Sequence, residues 1–227
     1  MISVVYSTRK ENKEFQNYIK KTIGLKNFEI HEIVNDGKKS LTECYNQGLD
    51  NTKNKIVVFC HDDIFLKDGW GKKIIRHFEK TDYGILGMAG TTDMGKTGCW
   101  WEDQSKMIGI VSHSHQGKTW ENRYSENFGE EIIETVILDG LFFVVDRNKL
   151  IHHFDEDFKG FHFYDLSFCL PNYLDGVDLG VITNIRVTHM SIGETNDMWE
   201  ENKKLFGLFI KFLLLFMIIQ FSILNIR

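Results

Sequence analysis

The sequence predicts an α/β fold: a mainly parallel sheet with helices on both faces, followed by a hydrophobic C-terminal helix. Three observations carry that reading. Short β-branched runs alternate with helix-period segments from Ile2 to Met88, and the connections are short enough for strand–helix–strand crossovers. The run Lys55–Cys60 is apolar at almost every position, as expected for a strand covered on both faces. From 205 to 226 only Gly207, Lys211, Gln220, Ser222 and Asn225 interrupt Leu, Ile, Phe and Met.

The elements follow in order. Ile2–Tyr6 reads as a buried strand that opens into Ser7-Thr8-Arg9, and as a strand rather than a secretory leader. Phe15, Tyr18, Ile19 and Ile23 fall at helical spacing within 12–23. Phe28–Val34 alternates as a strand and breaks at Asn35-Asp36-Gly37. Ser40 is placed to cap a helix over 41–51, with Glu43 completing only part of a capping box. Trp70–Lys80 reads as a helix and Tyr83–Met88 as a fourth strand. Residues 89–135 are rich in Gly, polar residues and Trp, and read as short strands and loops shaping a cleft. Leu141–Val145 is another buried strand, a helix starts near Tyr164, and 181–187 forms one further strand ending in Thr188-His189.

Composition narrows the function. The chain has 227 residues, 42% hydrophobic and 26% charged, which suits one sizeable core and excludes bulk disorder. Its 27 Lys+Arg stand against 32 Asp+Glu, so no global basic field points to nucleic acid. Cys44, Cys60, Cys99 and Cys169 are too far apart for a CxxC site and read as buried thiols in a reducing compartment. The division expected is a domain over 1–204 and a tail over 205–227. The tail is long enough to reach across a bilayer core of ~30 Å at ~1.5 Å per residue, and Lys203 and Lys204 would keep the preceding domain on the cytoplasmic side. A core helix continued by an in-plane membrane helix, or a tail buried in an oligomer, is the alternative.

In open α/β sheets, ligands bind at the carboxyl ends of the strands. Ser7-Thr8, Asn35-Asp36 and His61-Asp62-Asp63 all stand at such ends. The paired carboxylates after a buried strand suit a hard divalent cation, or else a solvated turn that caps the next helix. Asp165 lies among Phe158, Phe161, Phe163, Tyr164 and Phe168. That setting raises proton affinity and suits a general base, or equally Asp165 is an N-cap. His189 gains a role only if it meets Asp63 in space. Asp139-Gly140 is a site of close approach or a plain turn. Trp100-Trp101 either stacks on a sugar or fills the core.

Taken in order, these segments resemble the family 2-like inverting glycosyltransferases of the GT-A fold, a Rossmann-like architecture, and their bacterial glycosyltransferase-like branch in particular. Asn46-Gln47-Gly48 resembles the family's Asn-x-Gly segment. His61-Asp62-Asp63 resembles that branch's variant of the DxD motif, with His in first position. Val136–Gly140 resembles the segment bordering the donor sugar, 154–165 the region carrying the base, and Val187-Thr188-His189 with Ser191 and Gly193 the late His motif. The resemblance implies metal-assisted transfer from a nucleotide-diphosphate sugar, with UDP the first expectation, to a glycan or lipid-linked acceptor. It assigns Asp165 as base. It gives Asp63, His189 and His61 to a Mn²⁺ or Mg²⁺ ion, and Ser7, Thr8, Asn35, Asp62, Asp139 and Gly140 to the donor. Trp100 and Trp101 are left for the acceptor. A catalytically silent nucleotide-sugar or partner-binding module is the alternative. The location implied is the cytoplasmic face of a membrane, and the sequence does not indicate an oligomeric state.

Overall fold

The computed structural model describes residues 1–95, 99–125, 129–193 and 195–224, with side chains as far as Leu213. The first half is β1 (Ile2–Thr8), α1 (Lys13–Thr22), β2 (Phe28–Val34), α2 (Leu41–Asn51), β3 (Ile56–Cys60), β4 (Ile64–Leu66), α3 (Trp70–Lys80), β5 (Ile85–Gly87) and β6 (Ala89–Thr91). Then come β7 (Met107–His115), β8 (Lys118–Arg123), β9 (Ile132–Thr135), β10 (Ile137–Leu138), β11 (Phe142–Asp146), α4 (Tyr164–Leu174), β12 (Leu179–Ile182), β13 (Val187–His189) and α5 (Asp197–Leu224).

Seven strands form the main sheet in the order β2-β1-β3-β11-β5-β12-β9. β2, β1, β3, β5 and β12 share one direction, so the sheet is mainly parallel as expected. β11 runs against this direction between β3 and β5, with Val144 opposite both Val58 and Leu86. Every residue of β3 and β11 is buried, which accounts for their unbroken apolar sequences. A second sheet, β10-β6-β7-β13-β4 with β8 on β7, lies over the carboxyl end of β3. Its strands β6, β7 and β8 come from the segment that shows little periodicity, whereas β4, β10 and β13 are supplied from outside it.

Several boundaries follow from local chemistry. Asn12 caps α1, its Oδ1 accepting from the Phe15 amide at 3.0 Å. Ser40 and Glu43 form a complete capping box, not the partial one expected. The Ser40 amide donates to the Glu43 carboxylate at 2.7 Å while the Ser40 hydroxyl accepts from the Glu43 amide at 3.3 Å. The single late strand expected over 181–189 is two. β12 joins the main sheet and β13 the second sheet, because the chain turns at 183–186 and changes layers. Cys44, Cys60, Cys99 and Cys169 are all buried.

The helix that carries the hydrophobic run from 205 begins before it. α5 begins about two turns earlier, its first turn capped by Asn196, whose Oδ1 accepts from the Trp199 amide at 3.0 Å. Phe206 is fully buried against Phe158 and Phe163, so the 204/205 division falls inside a helix already docked on the core. Among the described residues, no helix is long and apolar enough to cross a membrane. Residues 225–227 of the expected tail lie outside the described residues.

Candidate active site

His61, Asp62 and Asp63 follow β3 directly, where the main sheet gives way to the second one. β13 brings His189 to them by pairing with β4, His189 lying opposite Ile64. His61 Nδ1 is 3.3 Å from His189 Nε2, which is 3.3 Å from Asp63 Oδ1 and 3.0 Å from the Ser191 hydroxyl. One ligand atom from each of His61, Asp63 and His189 lies within 4.8 Å of the others. Two imidazoles and a carboxylate at this spacing fit a divalent first-row cation.

The charges inside this cluster are coupled. Burial and the neighbouring His189 hold His61 down at about 4, so it stays neutral and keeps a lone pair for a ligand. Burial pushes Asp63 up, but the hydrogen bond and charge of His189 and the Ser191 hydroxyl outweigh it and hold the carboxyl at about 2. Burial lowers His189, while its bond to Asp63 and the charges of Asp63 and Asp139 raise it more. The other ring nitrogen of His61, Nε2, is 2.8 Å from the Tyr164 hydroxyl. An outer hydrogen bond of this kind fixes the orientation of a ligating imidazole.

Asp165 stands in the first turn of α4. It is not the N-cap, a position held by Phe163 in a left-handed conformation with φ +62°. The carboxylate accepts from the Gly140 amide at 3.3 Å and from the Leu166 amide at 3.0 Å. Burial, with the charge of Asp139 next, raises Asp165 to about 7. Asp139 is itself raised by burial, although the Leu141 amide donates to it at 3.1 Å. Gly140 is required here: a Cβ would sit 2.2 Å from the Tyr164 hydroxyl and 2.3 Å from its ring.

Two cavities meet at His61 and Phe161. The smaller, about 180 Å³, is lined by Ser7, Tyr45, Asp62 and Asp63. The larger, about 500 Å³, takes in Asp139, Asp165, His189, Trp100 and Trp101. Thr8 and Asn35 line neither. The Thr8 hydroxyl donates to the Lys10 carbonyl at 3.0 Å, and Asn35 closes its own loop, donating to the Lys39 carbonyl at 2.8 Å. Their side chains hold the loops at the strand ends rather than facing the cleft. Trp100 is buried, packed edge-on to Trp101 and Tyr124, while Trp101 is 44% exposed at the mouth.

Sequence reasoning did not assign Trp120, His113 or Trp199 to the site. Trp120 stacks on His113, its cross-strand partner in the β7–β8 pair, and Trp199 comes from α5; all three line the larger cavity. The alternation Trp120, Asn122, Tyr124 was a readable signal of one strand face. Trp199 had none, because no element was read between His189 and the apolar run that starts at 205. The Asn-x-Gly segment has a structural explanation. The Asn46 side chain bonds both the amide and the carbonyl of Phe154, at 3.0 and 2.9 Å, and Gly48 lets α2 approach β1 where a Cβ would meet Val5 at 2.2 Å.

The overall architecture is that of solved glycosyltransferases of the GT-A fold. A crystal structure of GalNAc-T7 with UDP, GalNAc and Mn²⁺ superposes with a TM-score of 0.59 at 10% identity, over 86% of this chain and 44% of that one. TarS of S. aureus gives 0.54 at 13% identity, over 84% of this chain and 36% of that one. The 1–349 portion of TarS gives 0.52 at 13% identity, over 83% and 60%. This chain thus spans less than half the length of the first two structures. No curated protein matches its sequence. A family model described as "Glycosyltransferase like family" matches residues 3–207, nearly the whole described domain, and the chain belongs to that family.

Proposed function

We propose that this glycosyltransferase is metal-dependent and inverting, moving a sugar from a nucleotide-diphosphate donor, UDP-sugar first among them, to a glycan or lipid-linked acceptor hydroxyl. The observation that carries the reading is the adjacency of two different sites. A ligand-like cluster of His61, Asp63 and His189 and a buried carboxyl, Asp165, open on cavities that share His61.

Ser7 and Asp62 line the smaller cavity, on the side of the nucleotide, and Asp139, which lines the larger one, borders the sugar together with its chain neighbour Gly140. A divalent ion held by His61, Asp63 and His189 would supply charge neutralisation at the departing diphosphate. Asp165, raised to about 7, is ionised above neutral pH and takes the acceptor proton as the acceptor oxygen attacks the anomeric carbon. One base suffices for single displacement with inversion. The aromatic walls of the larger cavity, Trp100 and Trp101 among them, suit the apolar face of a sugar ring. The alternative, a catalytically silent module that binds a nucleotide-sugar or a partner, would require His61 to have left the metal site. Its position 3.3 Å from His189 favours the transferase instead.

Mn²⁺ is the ion the two imidazoles favour over Mg²⁺. The apolar end of α5, with Leu208 and Phe212 exposed ahead of it, suits contact with a membrane, at its cytoplasmic face. A donor screen tests the whole reading: purified protein, Mn²⁺ or Mg²⁺, a panel of nucleotide-sugars, and released nucleoside diphosphate as the readout. Release that EDTA and Asp165→Asn both abolish is the expected result. Nucleotide binding without release across donors and acceptors would favour the silent module.

A further inference from the structure

The segment 158–163 carries the chain from the core into α4 and so sets where Asp165 stands. The Phe163 carbonyl accepts from the Ser167 amide of α4 at 2.9 Å, but the carbonyls before it lie outside any strand or helix, and each buried one needs a partner. Two partners come from the start of α2. The Thr42 hydroxyl donates to the Phe158 carbonyl at 3.2 Å, and the Leu41 amide donates to the Gly160 carbonyl at 2.9 Å. The other two come from a single side chain on α5. Asn202 Nδ2 donates to the Lys159 carbonyl at 2.7 Å and to the His162 carbonyl at 2.9 Å.

Asn202 is 3% exposed, so these bonds are made away from water, where losing them leaves two carbonyls unpaid. Phe163, which follows, has φ +62°, a conformation that a bulky residue keeps only when its surroundings hold it. Those surroundings are again α5: Trp199 and Phe206 both pack on the Phe163 ring at 5.6 Å. The next two residues are Tyr164, bonded to His61, and Asp165.

We propose that Asn202 is a positioning residue for Asp165: its amide fixes the segment that aims the carboxyl at the larger cavity. The inference rests on the reading of Asp165 as the base. It makes the first half of α5 part of the catalytic domain, in keeping with a family match that runs to residue 207. Asn202 does not touch the cavities, so it acts only through the segment.

The test uses the full chain with Asn202→Leu, close in size and unable to donate, and Asn202→Asp, which can donate at most one of the two bonds. Amide hydrogen exchange is expected to speed up over 159–167 and stay unchanged in β1 and β3. Binding of UDP with Mn²⁺, measured by calorimetry, is expected to match wild type, which shows the nucleotide side intact. With the donor found by the screen, kcat should fall by about ten- to a hundredfold at unchanged donor KM. The acidic limb of the kcat–pH profile should move up as the Gly140 bond to Asp165 loosens. Unchanged exchange over 159–167, or faster exchange with wild-type kcat, would overturn the proposal. A wild-type protein that turns over no donor would instead overturn the transferase reading, and the two failures are thereby told apart.

Discussion

Tyr164 and Asp165 are neighbours in sequence, yet they serve opposite sides of the site. The Tyr164 hydroxyl lies 2.8 Å from Nε2 of His61, while the Asp165 carboxylate faces the Gly140 amide at 3.3 Å. The first turn of α4 thus links the candidate metal cluster to the candidate base, with Gly140 making room for the Tyr164 ring.

Tyr164→Phe removes the outer bond to His61 and little volume. Mn²⁺ affinity is expected to fall by about tenfold or more, as is usual when such a partner is lost. Calorimetric titration of the purified protein with Mn²⁺ checks this. An unchanged isotherm would mean that His61 is oriented without Tyr164.

Gly140→Ala drives a methyl group into the Tyr164 ring, at distances where something must move. A loss of about 1–3 kcal/mol is expected, read as a lower Tm. Measured in a Tyr164→Ala background, Gly140→Ala should cost less than it does in wild type, because the clash is gone.

The pH dependence follows from Asp165. Its carboxyl is raised to about 7, against an unfolded value near 3.9. In the proposed role of base, Asp165 is protonated below neutrality, so kcat should rise with pH up to about 7 and then level. For stability the sign is the reverse. Between the two values the folded state holds a proton that the unfolded state has lost, so stability falls as pH rises from about 4 to about 7. Asp165→Asn lacks that titration. Its Tm advantage over wild type should therefore grow across this window, toward an upper bound of roughly 4 kcal/mol. Parallel melting curves at pH 5 and pH 8, about one unit outside or inside the window, decide it.

The candidate ligand set of His61, Asp63 and His189 predicts an order of metals. Two imidazoles favour first-row transition ions, so Mn²⁺ should bind more tightly than Mg²⁺ and Co²⁺ more tightly than Mn²⁺. His61→Asp exchanges a nitrogen for an oxygen and should narrow the gap between Mn²⁺ and Mg²⁺. Competition titrations on both proteins measure it, and an equal gap in the two would remove His61 from the ligand set.

Trp101 and Trp120 are both large, partly exposed and on the wall of the larger cavity. Each replaced by Ala should raise acceptor KM by about three- to tenfold, with donor KM unchanged. A shift in donor KM alone would move these rings to the donor side.

Much of this molecule is legible along the chain because burial leaves a local trace. The apolar runs of β1, β3 and β11, the cap at Ser40 and the helix periods of α1 to α3 report which side chains meet the core. The candidate site was partly legible for the same reason: polar residues at strand ends and an aspartate among aromatics are local features. The second sheet was not, since β4, β6, β10 and β13 are only two or three residues long and come from segments far apart in the chain. Nor was the split of 179–189 into β12 and β13, because a run of β-branched residues reads the same whether one sheet or two receives it. Thr8 and Asn35 sit at strand ends as expected, but a strand end does not say whether a side chain turns to the cleft or back to its loop.

What the sequence by itself determined is the class of fold, the order of its elements and the residue types available for chemistry. Tertiary structure alone decided that His61 and His189, 128 positions apart, face each other, that β11 enters the sheet against its neighbours, and that Asn202 reaches the segment before Asp165. The reason is physical. Periodicity records whether a residue is buried, whereas partnership depends on strand register and helix docking, which are set by contacts between segments distant along the chain.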